Sequence, residues 1–122
     1  MNTHSVKINS NNDLLLSLLN IAKEKNRSGY ILGIVGNLSK IVIQCPGKID
    51  QSIFLGKYEI ITLNGTISPS KCHLHLSFSN SNCEVLGGHL EKGTIVLKQA
   101  DVLLGFIDDN NLESSQLIKN TF

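Results

Sequence analysis

The stretch "CHLHLSFSNSNCEVLGGHL" (residues 72–90) holds three of the chain's four histidines and the outline of a hairpin. A polar run, Ser79-Asn80-Ser81-Asn82, separates an alternating segment, His73 to Phe78, from a second one, Glu84 to Leu90. Alternation of this kind predicts strands with one buried face. Residues two apart on a strand project from the same side, so His73 and His75 point together while Cys72, Leu74 and Leu76 face the other way. A hairpin centred on Ser81 sets His73 directly opposite His89, and opposed residues share a face with their β-carbons roughly 4.5–5.5 Å apart. All three imidazoles then converge on one spot. Gly87-Gly88 is read as a bulge that aims His89; a close approach of another backbone and a simple tight turn are the other readings.

Three converging imidazoles suit a metal ion. Imidazole nitrogens bind zinc at about 2.0–2.1 Å, and three of them leave a fourth position open for water or a small-molecule ligand. Zinc is the expected divalent metal, although cobalt, nickel or copper accept the same donors. The competing reading is a hydrogen-bonded histidine cluster on a buried face or at a subunit contact. Cys72 and Cys83 join as ligands only if the register differs from this one. His4 is assigned no role.

Upstream of the hairpin, Ser10-Asn11-Asn12-Asp13 offers helix-capping side chains, and Leu14, Leu15, Leu18, Leu19 and Ala22 follow helical spacing to about Lys25. A helix this short needs a surface to lie on. Strands over 6–9, 30–35, 41–44 and 58–63 supply it, with a turn expected at Asn37 to Lys40 and a hairpin at Asn64-Gly65. Cys45-Pro46-Gly47 ends the third of these segments. The return strand begins at Thr66, and Thr94 to Phe106 adds one long strand or two. The expected fold class is α+β: a largely antiparallel or mixed sheet of about seven strands with one amphipathic helix packed on it. Residues 1–107 form the domain, and 108–122 a polar C-terminal tail, helical around Leu112 to Lys119 or disordered.

The chain's 122 residues are enough for one domain with a real core. Hydrophobic residues make up 41% and charged residues 17%, a balance that suggests part of the surface is covered by another subunit. The net charge of +1 lacks the basic excess typical of strong non-specific nucleic-acid binding. Three cysteines without a CxxC pair speak for reduced thiols rather than a secreted disulfide framework. The N-terminus lacks a signal-peptide profile and no apolar run is long enough to cross a bilayer, so a soluble, cytoplasmic protein with no membrane partner is expected.

"SGYILGIVGNLSKIVI" (28–43), "YEIITLNGTIS" (58–68) and "HLHLSFSNSNCEVLGGHL" (73–90) together resemble the plants-and-prokaryotes conserved (PPC) domain, of the prokaryotic single-domain type. The similarity runs from about Val6 to Phe106 and rests on a glutamate strand followed by H-x-H and then G-G-H-L. The resemblance implies a homotrimeric α+β subunit, a bound metal on His73, His75 and His89 near subunit contacts, and the predicted DNA-binding role often given to such proteins. Two positions depart from the pattern: Lys57 stands where plant members tend to have Arg, and Asp101 where many relatives have Glu. The AT-hook of the plant proteins is missing, so that part of their function does not carry over.

Two functions follow as expectations. The first is a homotrimeric binding module with a three-histidine metal site, DNA-associated or regulatory. The second is a metal-dependent enzyme of zinc type acting on a small molecule, with Glu59 and Asp101 as the candidate acid–base residues.

Overall fold

The helix start shows how the fold is pinned. In a computed structural model that describes residues 2–108, Asp13 has extended backbone angles and its carboxylate accepts the Leu16 N–H at 2.9 Å. Its second oxygen accepts the Gly93 N–H at 2.7 Å, tying the helix N-terminus to a distant turn. Helix α1 (Leu14–Lys25) buries Leu14, Leu18 and Ala22, the i, i+4, i+8 stripe expected from the sequence. Asn26 ends it in the left-handed conformation, with Lys23 and Lys25 in the last turn, where cations favour the helix dipole.

The strands are β1 (Asn2–Asn9), β2 (Gly29–Gln44), β3 (Ser52–Ile67), β4 (Cys72–Ser79), β5 (Val85–Leu90) and β6 (Ile95–Phe106). They form one antiparallel sheet in the order β1-β6-β2-β3-β4-β5. The end of β2 also pairs with β5, Ile43 with Leu90 and Gln44 with His89, so the sheet curls back on itself. Helix α1 packs over β3 and β4. Inside lie Leu74, Leu76 and Phe78 of β4 with Ile41, Leu63, Ile67, Leu90 and Leu104. Phe78 anchors an edge-to-face cluster, its ring centroid 5.3 Å from Phe54 and 5.5 Å from Tyr58.

The α+β class stands, with six strands among the described residues rather than seven. The expected turn at Asn37 to Lys40 is instead a continuous strand whose register shifts near Leu38, and the Asn37 side chain accepts the Lys98 N–H at 2.7 Å. The expected hairpin at Asn64-Gly65 is likewise overturned. Gly65 lies within β3 at φ +137, and a β-carbon there would sit 2.0 Å from the His73 carbonyl oxygen. Its glycine serves a close strand approach, and the chain reverses at Ser68 to Lys71, where the Ser68 hydroxyl donates to the Lys71 carbonyl at 2.8 Å. Apart from Asp108, the tail expected over 108–122 lies outside the described residues. Among the described residues no helix is long and apolar enough to cross a membrane.

Candidate metal centre

β4 divides its residues by parity. Leu74, Leu76 and Phe78 are buried in the core, while His73, His75 and Ser77 occupy the opposite face. Cys72 packs against the core as well, and burial pushes its thiol up to about 11, partly offset by a backbone hydrogen bond from the Ser68 region.

The β4–β5 turn is wider than the sequence suggested. The Asn80 side chain accepts the N–H groups of Asn82 at 2.9 Å and Glu84 at 3.1 Å, and Cys83 adopts positive φ. This moves the hairpin centre from Ser81 to Asn82. His89 therefore pairs with His75, not with His73, whose partner across β3 is Thr66. The correction is a slip of two residues between strands, which preserves the face on which each side chain stands. The bulge expected at Gly87-Gly88 is also absent: the ladder runs without a shift from Ser79–Val85 to His75–His89. A β-carbon on Gly87 would lie 2.6 Å from the Leu76 carbonyl oxygen, and one on Gly88 2.9 Å from that of Gln44. The pair lets β5 nestle between β4 and β2.

The three imidazoles meet. Their ring centroids are 5.2 Å apart for His73–His75, 5.1 Å for His73–His89 and 5.7 Å for His75–His89. One ligand nitrogen from each lies within 4.8 Å of the others. A tetrahedral ion with bonds near 2.0 Å requires nitrogen separations of roughly 3.3 Å, so the rings would have to draw together around it. Partial burial lowers the His89 pKa, aided by the charges of His73, His75 and Lys71 and opposed by Glu91. That shift favours the neutral imidazole, the form with a lone pair to donate.

A cavity of about 680 Å³ opens beside the cluster, lined among others by Gln44, Cys45, Lys48, His75, His89 and Glu91. Glu91 escaped the sequence reading although its signal was there: it follows His89 by two positions, the spacing that returns a side chain to the same side. The other two candidates stand apart from the imidazoles. Glu59 is exposed, pairs with Asn37 and Ser79 toward the far end of β4, and lines a separate cavity of about 600 Å³ with Lys57, Tyr58 and Lys98. Asp101 lies on β6 opposite Lys7 and Val35, where it accepts the Gln99 side-chain amide at 3.2 Å.

Known proteins share this architecture. A model of the Plants and Prokaryotes Conserved (PCC) domain matches residues 1–108. Over 93 residues the chain is 28% identical to the bifunctional protein GlmU of a Synechococcus strain, a match that takes up 75% of this chain. It spans only 15% of that relative's length. A crystal structure of a "putative DNA binding protein" from Bacteroides thetaiotaomicron superposes with a TM-score of 0.80 at 26% identity, covering 88% of this chain and 80% of that one. The metal-containing protein of Archaeoglobus fulgidus shares the fold, with a TM-score of 0.73 at 21% identity over 87% of this chain and 80% of its own.

Proposed function

This chain belongs to the Plants and Prokaryotes Conserved (PCC) domain family, and on that footing we propose that it is a metal-carrying binding module that works as a homotrimer. His73, His75 and His89 hold one divalent cation, zinc foremost, with the remaining position facing a small ligand in the adjoining cavity. The observation that carries this reading is the meeting of three ligand nitrogens within 4.8 Å on one side of the β4–β5 hairpin. The donor set supports a borderline-soft ion: three nitrogens with no carboxylate in the group suit zinc, whereas calcium and magnesium prefer oxygen. Support for self-association comes from apolar side chains left bare on a single chain, among them Leu55 at 72%, Val35 at 66% and Ile53 at 60% exposure.

A second reading, association with duplex DNA, is favoured by the description of the Bacteroides relative. The net charge of +1 gives it no electrostatic help, so any such binding rests on a local contact surface. Were the centre hydrolytic instead, Glu91 is the carboxylate that shares a cavity with His75 and His89, ahead of Glu59 and Asp101.

Elemental analysis of the purified protein tests the metal. About one zinc per chain is expected in the wild type and none in His73→Ala. Native mass determination with and without chelator tests the trimer. A wild type that takes up no zinc, cobalt or nickel on titration refutes the metal reading, and a monomeric mass refutes the assembly. For DNA, no gel shift with a duplex at low salt, where phosphate contacts are strongest, removes the second reading.

A further inference from the structure

Thr66 is 5% exposed, and its hydroxyl is the one buried side-chain polar atom among the described residues without a hydrogen-bond partner. Buried hydroxyls are nearly always satisfied, so an orphan calls for an explanation. Valine would fill this strand position with the same branching and no hydroxyl to satisfy. The position is not arbitrary: Thr66 stands directly opposite His73 in the β3–β4 ladder. Opposed residues share a face, with β-carbons roughly 4.5–5.5 Å apart.

The backbone around this pair is specialised. Gly65, immediately before Thr66, holds φ +137 and brings β3 so close to β4 that a β-carbon would strike the His73 carbonyl oxygen. The ladder between β4 and β5 reaches only as far as His75–His89, so the cross-strand neighbour of His73 is Thr66. His75 is braced by β5 and by Asn64; His89 is braced by His75 and by Gln44.

We propose that Thr66 is the positioning residue of His73: its hydroxyl oxygen accepts the N–H of whichever ring nitrogen does not face the ion. Metal-bound imidazoles almost always donate their second N–H to an oxygen, which fixes tautomer and ring rotation. Such a bond would give the Thr66 hydroxyl, unpartnered in the chain without metal, a partner in the metal-bound one. The inference rests on the metal reading above and adds a named residue to it.

Calorimetric titration of metal-free protein with Zn²⁺ at neutral pH tests it, on the wild type, Thr66→Val, Thr66→Ser and His73→Ala, alongside urea unfolding of each metal-free form. Thr66→Val should weaken zinc binding by about 10- to 100-fold. Its metal-free form should unfold at the same urea concentration as the wild type or higher, because an unsatisfied hydroxyl has been removed. Thr66→Ser, which keeps the hydroxyl, should stay within about threefold of the wild type. The split between weaker metal binding and undiminished metal-free stability is a signature that packing alone does not produce. If Thr66→Val binds zinc like the wild type, or if it and Thr66→Ser lose binding equally together with stability, the inference is overturned while the metal centre stands. If the wild type itself binds no metal, both fall.

Discussion

Replacing Gly65 with alanine should damage stability and site together. The added β-carbon would lie 2.0 Å from the His73 carbonyl oxygen, 3.0 Å from its carbonyl carbon and 3.1 Å from the Leu74 α-carbon. All three are backbone atoms, so no side chain can swing aside. A carbon–oxygen contact settles at roughly 3.3–3.6 Å, so β3 and β4 would have to part locally by more than 1 Å from a normal spacing near 4.8 Å. From His75 onward β4 is paired on its other side with β5, its buried face packs in the core, and α1 lies against it, which limits its retreat. Backbone strain at φ +137 adds about 1–3 kcal/mol for an L residue, and the overpacking about 1–3 kcal/mol more. The expected loss is therefore about 2–6 kcal/mol, a large share of the 5–15 kcal/mol typical of a domain. Urea unfolding followed by far-ultraviolet circular dichroism measures it, with the slope of the transition checked for two-state behaviour. Because the clash falls on the carbonyl of His73, zinc affinity should drop at least tenfold in whatever protein folds. A loss below about 1 kcal/mol with an unchanged slope would mean that the strands are not packed this closely, and the reasoning would fail.

Four further outcomes are expected. Asp13→Ala removes both the helix cap and the link to Gly93 and should cost about 1–2 kcal/mol in urea unfolding. The Cys72 thiol, pushed up to about 11 by burial, keeps its proton in the folded state at pH values where the unfolded chain has released its own. Stability should thus fall as pH rises from about 9 to about 11, and Cys72→Ala should flatten that dependence. At neutral pH a thiol reagent should modify exposed Cys83 well before Cys72. Gly88→Ala places a β-carbon 2.9 Å from the Gln44 carbonyl oxygen without positive φ, so its cost in urea unfolding should be about 1 kcal/mol, clearly below that of Gly65→Ala.

What the sequence made legible depended on how local each cause is. Helix α1 was readable because Asp13, the Leu14–Leu18–Ala22 stripe and Asn26 all act within one short segment. Asn64-Gly65 misled because the same conformational freedom serves two ends, a turn or a close strand approach, and the deciding atom belongs to His73 on another strand. The long β2 reads as two strands in the sequence because Asn37 is a turn-type residue. In the fold its side chain takes a hydrogen bond from the Lys98 backbone across the sheet instead. Thr66 gave no signal at all: a threonine in a strand is ordinary until its partner across the ladder is known.

Convergence of the imidazoles survived an incorrect register for a reason that also explains why the site is robust. Strand faces have period two, so the shift of the hairpin centre from Ser81 to Asn82 exchanged the partner of His89 without turning any side chain over. A slip of a single residue between β4 and β5 would have carried the imidazoles to opposite sides of the sheet. Such a slip is blocked from the other face. Leu74, Leu76 and Phe78 are buried in the core, and inverting them would expose Phe78, the largest fully buried side chain, together with two leucines. Each buried side chain of that size stabilises by about 1.5–3 kcal/mol. The hydrophobic face of β4 thereby fixes the parity of its histidine face. Fold and histidine cluster are set by the same alternation, read from its two sides.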